Sequence, residues 1–446
     1  MTHCNTTPLR LSKLQRRQVQ ADFAGGRLTS DAGLLLLREC DRQLGLIRQV
    51  DACLADPRDP GRIEHEQSTM LAQRIFAIAA GYEDLNDHQR LRLDPALQLA
   101  AEQTPHEDEA LASAPTLCRL ERRVTRDALV KMQAVLVEQF IASHEAAGTP
   151  PASIVLDFDA TDDPIHGKQE GRFFHGYYDH HCYLPLYVFC GEQLLCAYLR
   201  PSNIDPALHT RAILKLLVER IRASWPTTKI IFRGDSGFCR WKLMRWCDSH
   251  GVGYVLGLAR NPVLERLAQP WTVPAAWHVQ RCGEKVRLFG SFAYAASTWD
   301  RSRRVIVKAE HMTGERGANP RFVVTNLAGE EQTLYEQWYC QRGEMENRIK
   351  EQQLGLFADR TSCRTLLSNQ LRLLLSSFAY VFFEHLRRTA LAGTTLAKAQ
   401  VSTIRLRLLK LAARVVVSAR RVMFHLSTAH PEQALWRRLI SRLTPL

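Results

Sequence analysis

The segment Ile154-Val-Leu-Asp157-Phe-Asp159-Ala-Thr161 decides the fold prediction, because it is a short apolar run that carries two aspartates. It follows the turn-forming residues Gly148-Thr-Pro-Pro151, and its apolar and β-branched residues are typical of a buried strand. Successive side chains of a strand point to opposite faces. The segment therefore predicts a strand with one apolar face and with Asp157 and Asp159 together on the other.

Further strand and helix patterns follow this first strand. In chain order they are the strands Tyr183–Cys190 and Leu194–Leu199, the helix Thr210–Ile221, the strand Lys229–Phe232, the helix Trp241–Ser249 and the strand Tyr254–Leu258. Three strands in a meander followed by alternating helices and strands indicate a mixed sheet with helices packed on it. We therefore predict an α/β fold.

Two later segments add carboxylates. In Phe232-Arg-Gly-Asp235-Ser-Gly237 an aspartate lies where an apolar strand ends between two glycines, which permit a close turn. In the predicted helix Thr333–Gln353, the pattern Tyr339-x2-Arg342-x3-Glu346-x3-Lys350 falls within an arc of about 80° at 100° per residue. One helical face therefore presents an aromatic ring, a guanidinium, a carboxylate and an ammonium group.

These residue types together suit metal-assisted phosphoryl transfer. Three converging carboxylates without a Cys or His ligand set favour a hard divalent cation, Mg²⁺ or Mn²⁺. Two such ions about 4 Å apart can hold the attacking and leaving oxygens of an in-line displacement. Arg342 and Lys350 would then suit phosphate oxygens.

The patterns predict five regions along the chain. They are a helical N-terminal region, 1–150; a first α/β part, 151–261; a β-rich insertion with the strand-like pieces Lys285–Phe292 and Val305–Lys308, 262–319; a second α/β part that ends in the apolar helix Leu366–Leu386, 320–385; and a basic helical C-terminal region, 386–446. The insertion is inferred from Pro, Gly and charged residues that interrupt its apolar runs.

Composition excludes several classes of protein. The 446 residues are 46% hydrophobic and 24% charged, which is ordinary for a globular protein and argues against disorder or a fibrous repeat. No run of about 18 apolar residues is present, so we expect no membrane span, and Met1–Gln20 lacks the apolar core of a secretory signal. Twelve scattered cysteines without a C-x-x-C pair are typical of reduced thiols in the cytoplasm.

Positive charge is concentrated at the C-terminus. Residues 386–446 hold 12 Lys and Arg and one acidic residue, out of a net charge of +13 for the whole chain. Arg407, Lys410, Arg414 and Arg421 recur at a spacing close to 3.5, with apolar residues mostly opposite. We therefore predict an amphipathic cationic helix, with DNA as its leading partner and a membrane surface or an acidic protein as alternatives.

With these motifs in place, the chain resembles bacterial insertion-sequence transposases that carry an RNase H-like DDE domain, in particular group 1, the insertion sequence 1380 family. The marks of the resemblance span nearly the whole chain: Phe23-Ala-Gly25-Gly26 with Leu28-Thr-Ser-Asp-Ala-Gly33, Gly81-Tyr82-Glu83-Asp84 with Asn86-Asp87, Leu156-Asp-x-Asp159-x-Thr161 with His166-Gly167, Arg233-Gly-Asp-Ser-Gly237, Thr325-Asn326, the Tyr339–Lys350 helix, and Ala358-Asp359-Arg360 with Asn369-Gln370-x-Arg372.

The resemblance implies that Asp159, Asp235 and Glu346 form a catalytic and metal-binding triad in an RNase H-like sheet with helices on both faces. Asp159 is preferred over Asp157 because such enzymes usually follow the first aspartate with x-Thr or x-Ser. One departure is visible. The superfamily signature has Lys seven residues after the Glu, where this chain has Gln353, and Lys350 is the candidate substitute.

The resemblance implies a DNA transposase that uses two Mg²⁺ or Mn²⁺ ions to cut DNA at the ends of an element and to join the 3′-hydroxyl ends to a target. Tyr339, Arg342 and Lys350 would contact phosphates, and Arg407, Lys410 and Arg414 would bind DNA. We expect a homodimer on DNA, in the bacterial cytoplasm at the nucleoid, without a membrane partner. The alternatives are a structure-specific RNase H-like nuclease, a metal-dependent glycosyltransferase, and an inactive DNA-binding derivative.

Overall fold

The computed structural model describes residues 8–105, 109–146, 148, 150–311 and 318–444. The strands are β1 (Leu9–Leu14), β2 (Arg17–Ala21), β3 (Leu28–Thr29), β4 (Ser153–Ala160), β5 (Asp163–Pro164), β6 (Phe173–His175), β7 (His180–Tyr183), β8 (Leu186–Cys190), β9 (Gln193–Tyr198), β10 (Lys229–Gly234), β11 (Gly253–Leu258), β12 (Val286–Tyr294), β13 (Arg303–His311), β14 (Arg321–Thr325), β15 (Ala413–Ser418) and β16 (Arg421–Leu426).

The helices are α1 (Leu34–Leu44), α2 (Leu46–Ala52), α3 (Gln67–Ala80), α4 (His88–Leu91), α5 (Pro95–Ala100), α6 (Ala114–Arg122), α7 (Arg126–Glu145), α8 (Thr210–Ser224), α9 (Trp241–Ser249), α10 (Pro262–Leu267), α11 (Gln269–Cys282), α12 (Glu331–Thr333), α13 (Arg342–Lys350), α14 (Leu366–Arg388), α15 (Val401–Ile404) and α16 (Gln433–Leu443).

The main sheet has the strand order β12-β13-β14-β11-β10-β4-β8-β9. Strands β4, β10 and β11 run parallel, and β8, β9 and β14 pair antiparallel with their neighbours. The predicted meander of three strands followed by alternating helices and strands is confirmed. Because β4 and β10 are central and parallel, their carboxyl ends meet at one edge of the sheet, where Asp159 and Asp235 lie.

The sheet separates two apolar clusters, so alternate residues of its central strands enter different cores. Ile154, Leu156 and Phe158 belong to the larger cluster, which includes residues of α7, α8 and α9. Val155 packs on the smaller cluster with Leu334 and Tyr335. The predicted alternation along β4 is therefore confirmed, as are helices on both faces. Asp157 and Asp159 lie on the face covered by the segment that contains Leu334.

The region 262–319 differs from the predicted β-rich insertion. Its first half is the helices α10 and α11, because Asn261 accepts a hydrogen bond from the backbone N–H of Leu264 and Pro262 occupies the first helical turn. A proline there removes no helical hydrogen bond. The strands β12 and β13 include the two predicted strand pieces except Lys285, but they extend the main sheet beside β14. Residues 312–317 lie outside the described residues.

The chain divides into two compact units. One contains 1–128, 355–357 and 378–446, and the other contains 129–354 and 358–377. The regions predicted separately as the N-terminal 1–150 and the C-terminal 386–446 thus contribute to the same unit. Neither region is wholly helical: β1, β2 and β3 lie in the first, and β15 and β16 form a hairpin in the second.

Backbone and side-chain contacts join the N-terminal and C-terminal segments of the first unit. Gly33 donates its N–H to the carbonyl oxygen of Leu409 at 3.1 Å, and Asp31 accepts from Lys410 Nζ at 2.6 Å and from Tyr82 Oη at 2.9 Å. Phe76 stacks on Phe382 with ring centroids 5.2 Å apart. Asp31, Gly33 and Tyr82 come from two of the quoted N-terminal motifs, which therefore have structural roles in this unit.

Gly33→Ala is expected to destabilise this unit. A Cβ atom at position 33 would lie 2.2 Å from both Leu408 O and Leu409 Cα, which are backbone atoms that cannot rotate away. Such overpacking costs about 1–3 kcal/mol or more of the free energy of unfolding. Urea unfolding measures the loss, with Gly25→Ala as the control because the nearest atom there is 3.5 Å away. Equal stability of the two variants would contradict the contact.

Among the described residues one helix, α14, is long and apolar enough to cross a membrane, and 83% of its apolar stretch is buried inside the protein. Burial of this kind is what a core helix of a folded domain shows. Its first part belongs to one compact unit and its second part to the other.

Candidate active site

Asp157 is held by a buried ion pair. Arg233, its neighbour on β10, donates from Nε and Nη2 to the two carboxylate oxygens, the latter at 2.5 Å. Arg233 also donates from Nη1 to the carbonyl oxygen of Trp338. The side chains of Asp157 and Arg233 are only 4% and 8% exposed. Asp157 therefore makes a structural ion pair. The sequence analysis did not predict this role for Arg233, although Arg233 lies only two residues before Asp235.

Asp159 lies two residues further along the same strand face and has no such partner on β10. Its side chain is 14% exposed, and Oδ2 is 3.3 Å from Nη1 of Arg342. Its Oδ1 accepts from the backbone N–H of Ala160. Asp159 thus reaches the end of the strand with one oxygen directed at the helical segment that covers this face.

Asp235 is positioned by a tight turn at the end of β10. Its Oδ1 accepts from the backbone N–H of Gly237 at 2.8 Å, capping the short turn Ser236–Phe238. The adjacent strand β11 passes close by at Gly257, where a Cβ atom would lie 3.0 Å from Ser236 N and 2.5 Å from Tyr339 Oη. Glycine at 257 therefore lets the Asp235 turn and the Tyr339 ring approach the same strand.

The helical segment over this face is less regular than the predicted helix Thr333–Gln353. α12 leads into a π-helical stretch, Leu334–Tyr339, and α13 into a second one, Glu351–Gly355. A turn at residues 340–341 separates Tyr339 from α13. π-helical turns are uncommon and frequent at functional sites. They alter the rotation per residue, so the arc calculated for a uniform helix holds only within α13.

Arg342 links two of the predicted catalytic residues. Its Nη2 donates to Oε1 of Glu346 at 2.6 Å, one helical turn away, while its Nη1 contacts Asp159. The pKa of Asp159 is raised to about 7. Burial is the largest cause, Arg342 opposes the rise, and the negative charges of Asp235 and Glu346 add to it. Asp235 and Glu346 are thus near enough to Asp159 to influence its pKa, and the assignment of the three residues to one catalytic site stays a prediction.

The chemistry of this donor set fits a hard divalent cation. Three carboxylates supply oxygen ligands. A cation would stabilise the charged form of Asp159, which burial disfavours most and which the charges of Asp235 and Glu346 disfavour further. Within the described part of the chain, no three Asp, Glu, His or Cys side chains converge closely enough to hold one ion, because the guanidinium of Arg342 lies between Asp159 and Glu346. Glu346 is 43% exposed, so its side chain has room to reorient.

The proposed phosphate contacts differ in their surroundings. Tyr339 is half-buried and burial raises its pKa, whereas Lys350 is exposed at the end of α13. Gln353, at the position of the family's lysine, donates from Nε2 to the carbonyl oxygen of Asp162 at 2.9 Å. Gln353 thus makes a structural hydrogen bond within the protein. A phosphate contact by Lys350 stays a prediction.

The prediction of a cationic C-terminal helix is wrong. Arg407 lies in a short π-helical stretch and pairs with Glu432, and Lys410 pairs with Asp31 and lies 4.0 Å from the ring centre of Tyr82. Arg414 is exposed on β15, directly before a run of β-branched residues that favours a strand. The three cations therefore do not share a helical face, and their contact with DNA stays a prediction.

The raised pKa of Asp159 predicts how stability depends on pH. Folding favours the protonated carboxyl, so its contribution is fully present below the ordinary value of 3.8 and is lost as pH rises to about 7. With a chelator present, Asp159→Asn should unfold at higher urea than the unaltered protein at about pH 8, and the difference should shrink towards about pH 5. A difference that is constant with pH would contradict the shift.

Known proteins resemble this chain over most of its length. The sequence model of the family described as "Transposase DDE domain group 1" matches residues 11–446. No curated protein matches significantly. Among solved structures, the piggyBac transposase synaptic complex with hairpin DNA, determined by cryo-EM, matches with 10% sequence identity and a TM-score of 0.42, over 85% of this chain and 80% of that one. The family match includes both compact units.

Proposed function

Because the chain belongs to the family of group 1 transposase DDE domains, enzymes that cut and join DNA, we propose that it acts at the ends of an insertion sequence. It would hydrolyse a phosphodiester at each end and join the freed 3′-hydroxyl to target DNA. We further propose that it belongs to the insertion sequence 1380 branch, from a bacterium, and works at the nucleoid as a homodimer on DNA.

The observation that supports this proposal is geometric: Asp159 and Asp235 follow the adjacent parallel strands β4 and β10, and Arg342 contacts both Asp159 and Glu346. Transposases of this type generally use divalent metals, and we propose two Mg²⁺ or Mn²⁺ ions held by these three carboxylates. Bound ions would supply charge neutralisation of the phosphate and activation of the attacking oxygen. Neutralising the carboxylates would also release Arg342 from Asp159 and Glu346.

The residues around the triad would then position the DNA. A guanidinium freed from its carboxylates can donate two parallel hydrogen bonds to phosphate oxygens, which assigns Arg342 to the scissile or a flanking phosphate. Tyr339, beside Gly257 and the Asp235 turn, would support that placement. Lys350 on the exposed side of α13 would contact the DNA further from the cut.

The experiment is a two-stage assay with purified protein. A labelled duplex from the element's end is incubated with Mg²⁺, with Mn²⁺ or with a chelator, and the products are then offered a supercoiled plasmid. We expect metal-dependent nicks with 3′-hydroxyl ends, followed by label joined to the plasmid. Nicking without joining would favour the structure-specific nuclease, and tight binding without nicking would favour the inactive derivative.

A further inference from the structure

The hairpin of β1 and β2 forms a sheet of its own near the N-terminus. Every residue of its two strands is exposed except Val19, which is half-buried. An isolated two-stranded ribbon is only marginally stable in water. A ribbon without a core of its own is best explained by a partner that covers it.

The charge of the ribbon indicates the chemistry of that partner. It carries Arg10, Lys13, Arg16 and Arg17, and no Asp or Glu occurs from Met1 to Ala21. None of the four cations forms an ion pair with a residue that the structure describes. This differs from Arg407 and Lys410, which are paired within the protein. Four uncompensated cations on a narrow ribbon complement a polyanion such as the DNA backbone.

The register of the two strands places Arg10 and Gln20 on the face opposite the apolar pairs. Leu9 pairs with Ala21 and Leu11 with Val19, and these side chains share one face. Arg17 alternates with Val19 and lies at the turn end of that face, where a shift in register pairs it with Leu14. Arg10 pairs directly with Gln20 on the opposite face. Arginine and glutamine are the side chains that bond bidentately to the edges of guanine and adenine, and the major groove is wide enough for a two-stranded ribbon.

We propose that the β1–β2 ribbon enters the major groove of DNA at the element's ends, with Arg10 and Gln20 on base edges and Lys13, Arg16 and Arg17 on flanking phosphates. The inference rests on the proposed function only in that DNA is the substrate. It assigns recognition of the end sequence to this ribbon. Arg414, which is exposed on β15, is then not needed for reading bases.

The test is selection from a pool of duplexes with a randomised centre, using the full-length protein and a chelator to prevent cutting. We expect the unaltered protein to enrich one motif. Arg10→Ala should lose the preference for guanine at one position and bind the enriched duplex about tenfold more weakly, and Gln20→Ala should lose a neighbouring adenine preference. Arg266→Ala, an exposed arginine on α10, is the matched control and should select as the unaltered protein does.

A second variant separates contacts with the DNA backbone from contacts with the bases. The double substitution Arg16→Ala and Arg17→Ala should weaken binding to the enriched duplex and to a scrambled duplex by similar factors. It should also reduce the salt dependence of binding. Because these side chains are exposed, the variants should keep the unfolding midpoint of the unaltered protein.

Three results would overturn the inference. The first is an Arg10→Ala, Gln20→Ala double variant that enriches the same motif with the same affinity. The second is an unaltered protein that cuts DNA yet enriches no motif. The third is a Leu11→Ser variant that halves the mass in light scattering and leaves selection unchanged, which would make the ribbon a contact between two copies. In each case nicking and joining by the unaltered protein still decide the proposed function separately.

Discussion

Asp159→Asn is expected to reduce metal-dependent DNA cleavage about a thousandfold or more while the protein stays folded. Asparagine keeps the shape of the side chain but removes the charge that would hold a cation, which is worth several kcal/mol to the reaction, and about 4 kcal/mol corresponds to a thousandfold. Nicking of a labelled duplex under single-turnover conditions measures the loss. Asp235→Asn should lose activity to a similar extent, because the two carboxylates act on one site.

The control for this variant is Asp205→Asn. Asp205 is an exposed carboxylate in the same compact unit, paired with Arg240 at 3.0 Å, so the substitution removes the same charge away from the site. It should cut DNA at the unaltered rate. Persistent cleavage by Asp159→Asn, or by Asp235→Asn, would remove the corresponding residue from the catalytic triad.

Asp157→Asn is expected to have the opposite effect, with a large loss of stability and cleavage retained under conditions in which the protein is folded. The substitution leaves the guanidinium of Arg233 buried without its counterion, and breaking one side of a buried ion pair costs about 3–5 kcal/mol. Urea unfolding at constant pH measures this loss. Cleavage is measured in the cold, with the folded fraction determined on the same sample.

Two comparisons test the assignment of Asp157. Asp205→Asn breaks an exposed pair and should cost no more than about 1 kcal/mol. Asp157→Leu combined with Arg233→Met should recover part of the stability, because apolar residues of similar volume replace both buried charges. An Asp157→Asn variant that is stable but inactive would instead place Asp157, and not Asp159, among the ligands.

The central sheet could be predicted because each of its signals is local. The apolar alternation in β4 and the glycines around Asp235 mark their strands without reference to the rest of the chain. The distinction between Asp157 and Asp159 is of another kind. Both lie on the same face of β4, so periodicity cannot separate them, and the difference arises from Arg233, which is 76 residues away from Asp157.

The errors arose where two periodicities compete. Arg407, Lys410, Arg414 and Arg421 satisfy a helical spacing, but Val415-Val416-Val417 favours a strand, and the cross-strand pairing of β15 with β16 and β3 decides for the strand. Around Pro262 the opposite occurs, because proline, which interrupts most apolar runs, here begins a helix. The π-helical turns near Tyr339 have no signal of their own in the sequence.

The discontinuous make-up of the first compact unit constrains how the chain acquires its shape during synthesis. Asp31 and Gly33 emerge from the ribosome early, but Lys410 and Leu409 follow only after nearly the whole message has been read. The residues of the other unit all lie between 129 and 377, a stretch interrupted only by the three residues 355–357, so this unit can fold first on the nascent chain. The apolar sides of α1 and α3 stay incompletely covered until the C-terminal segment has been synthesised. A chain truncated before residue 405 would lack Leu409 and Lys410, which contact Gly33 and Asp31.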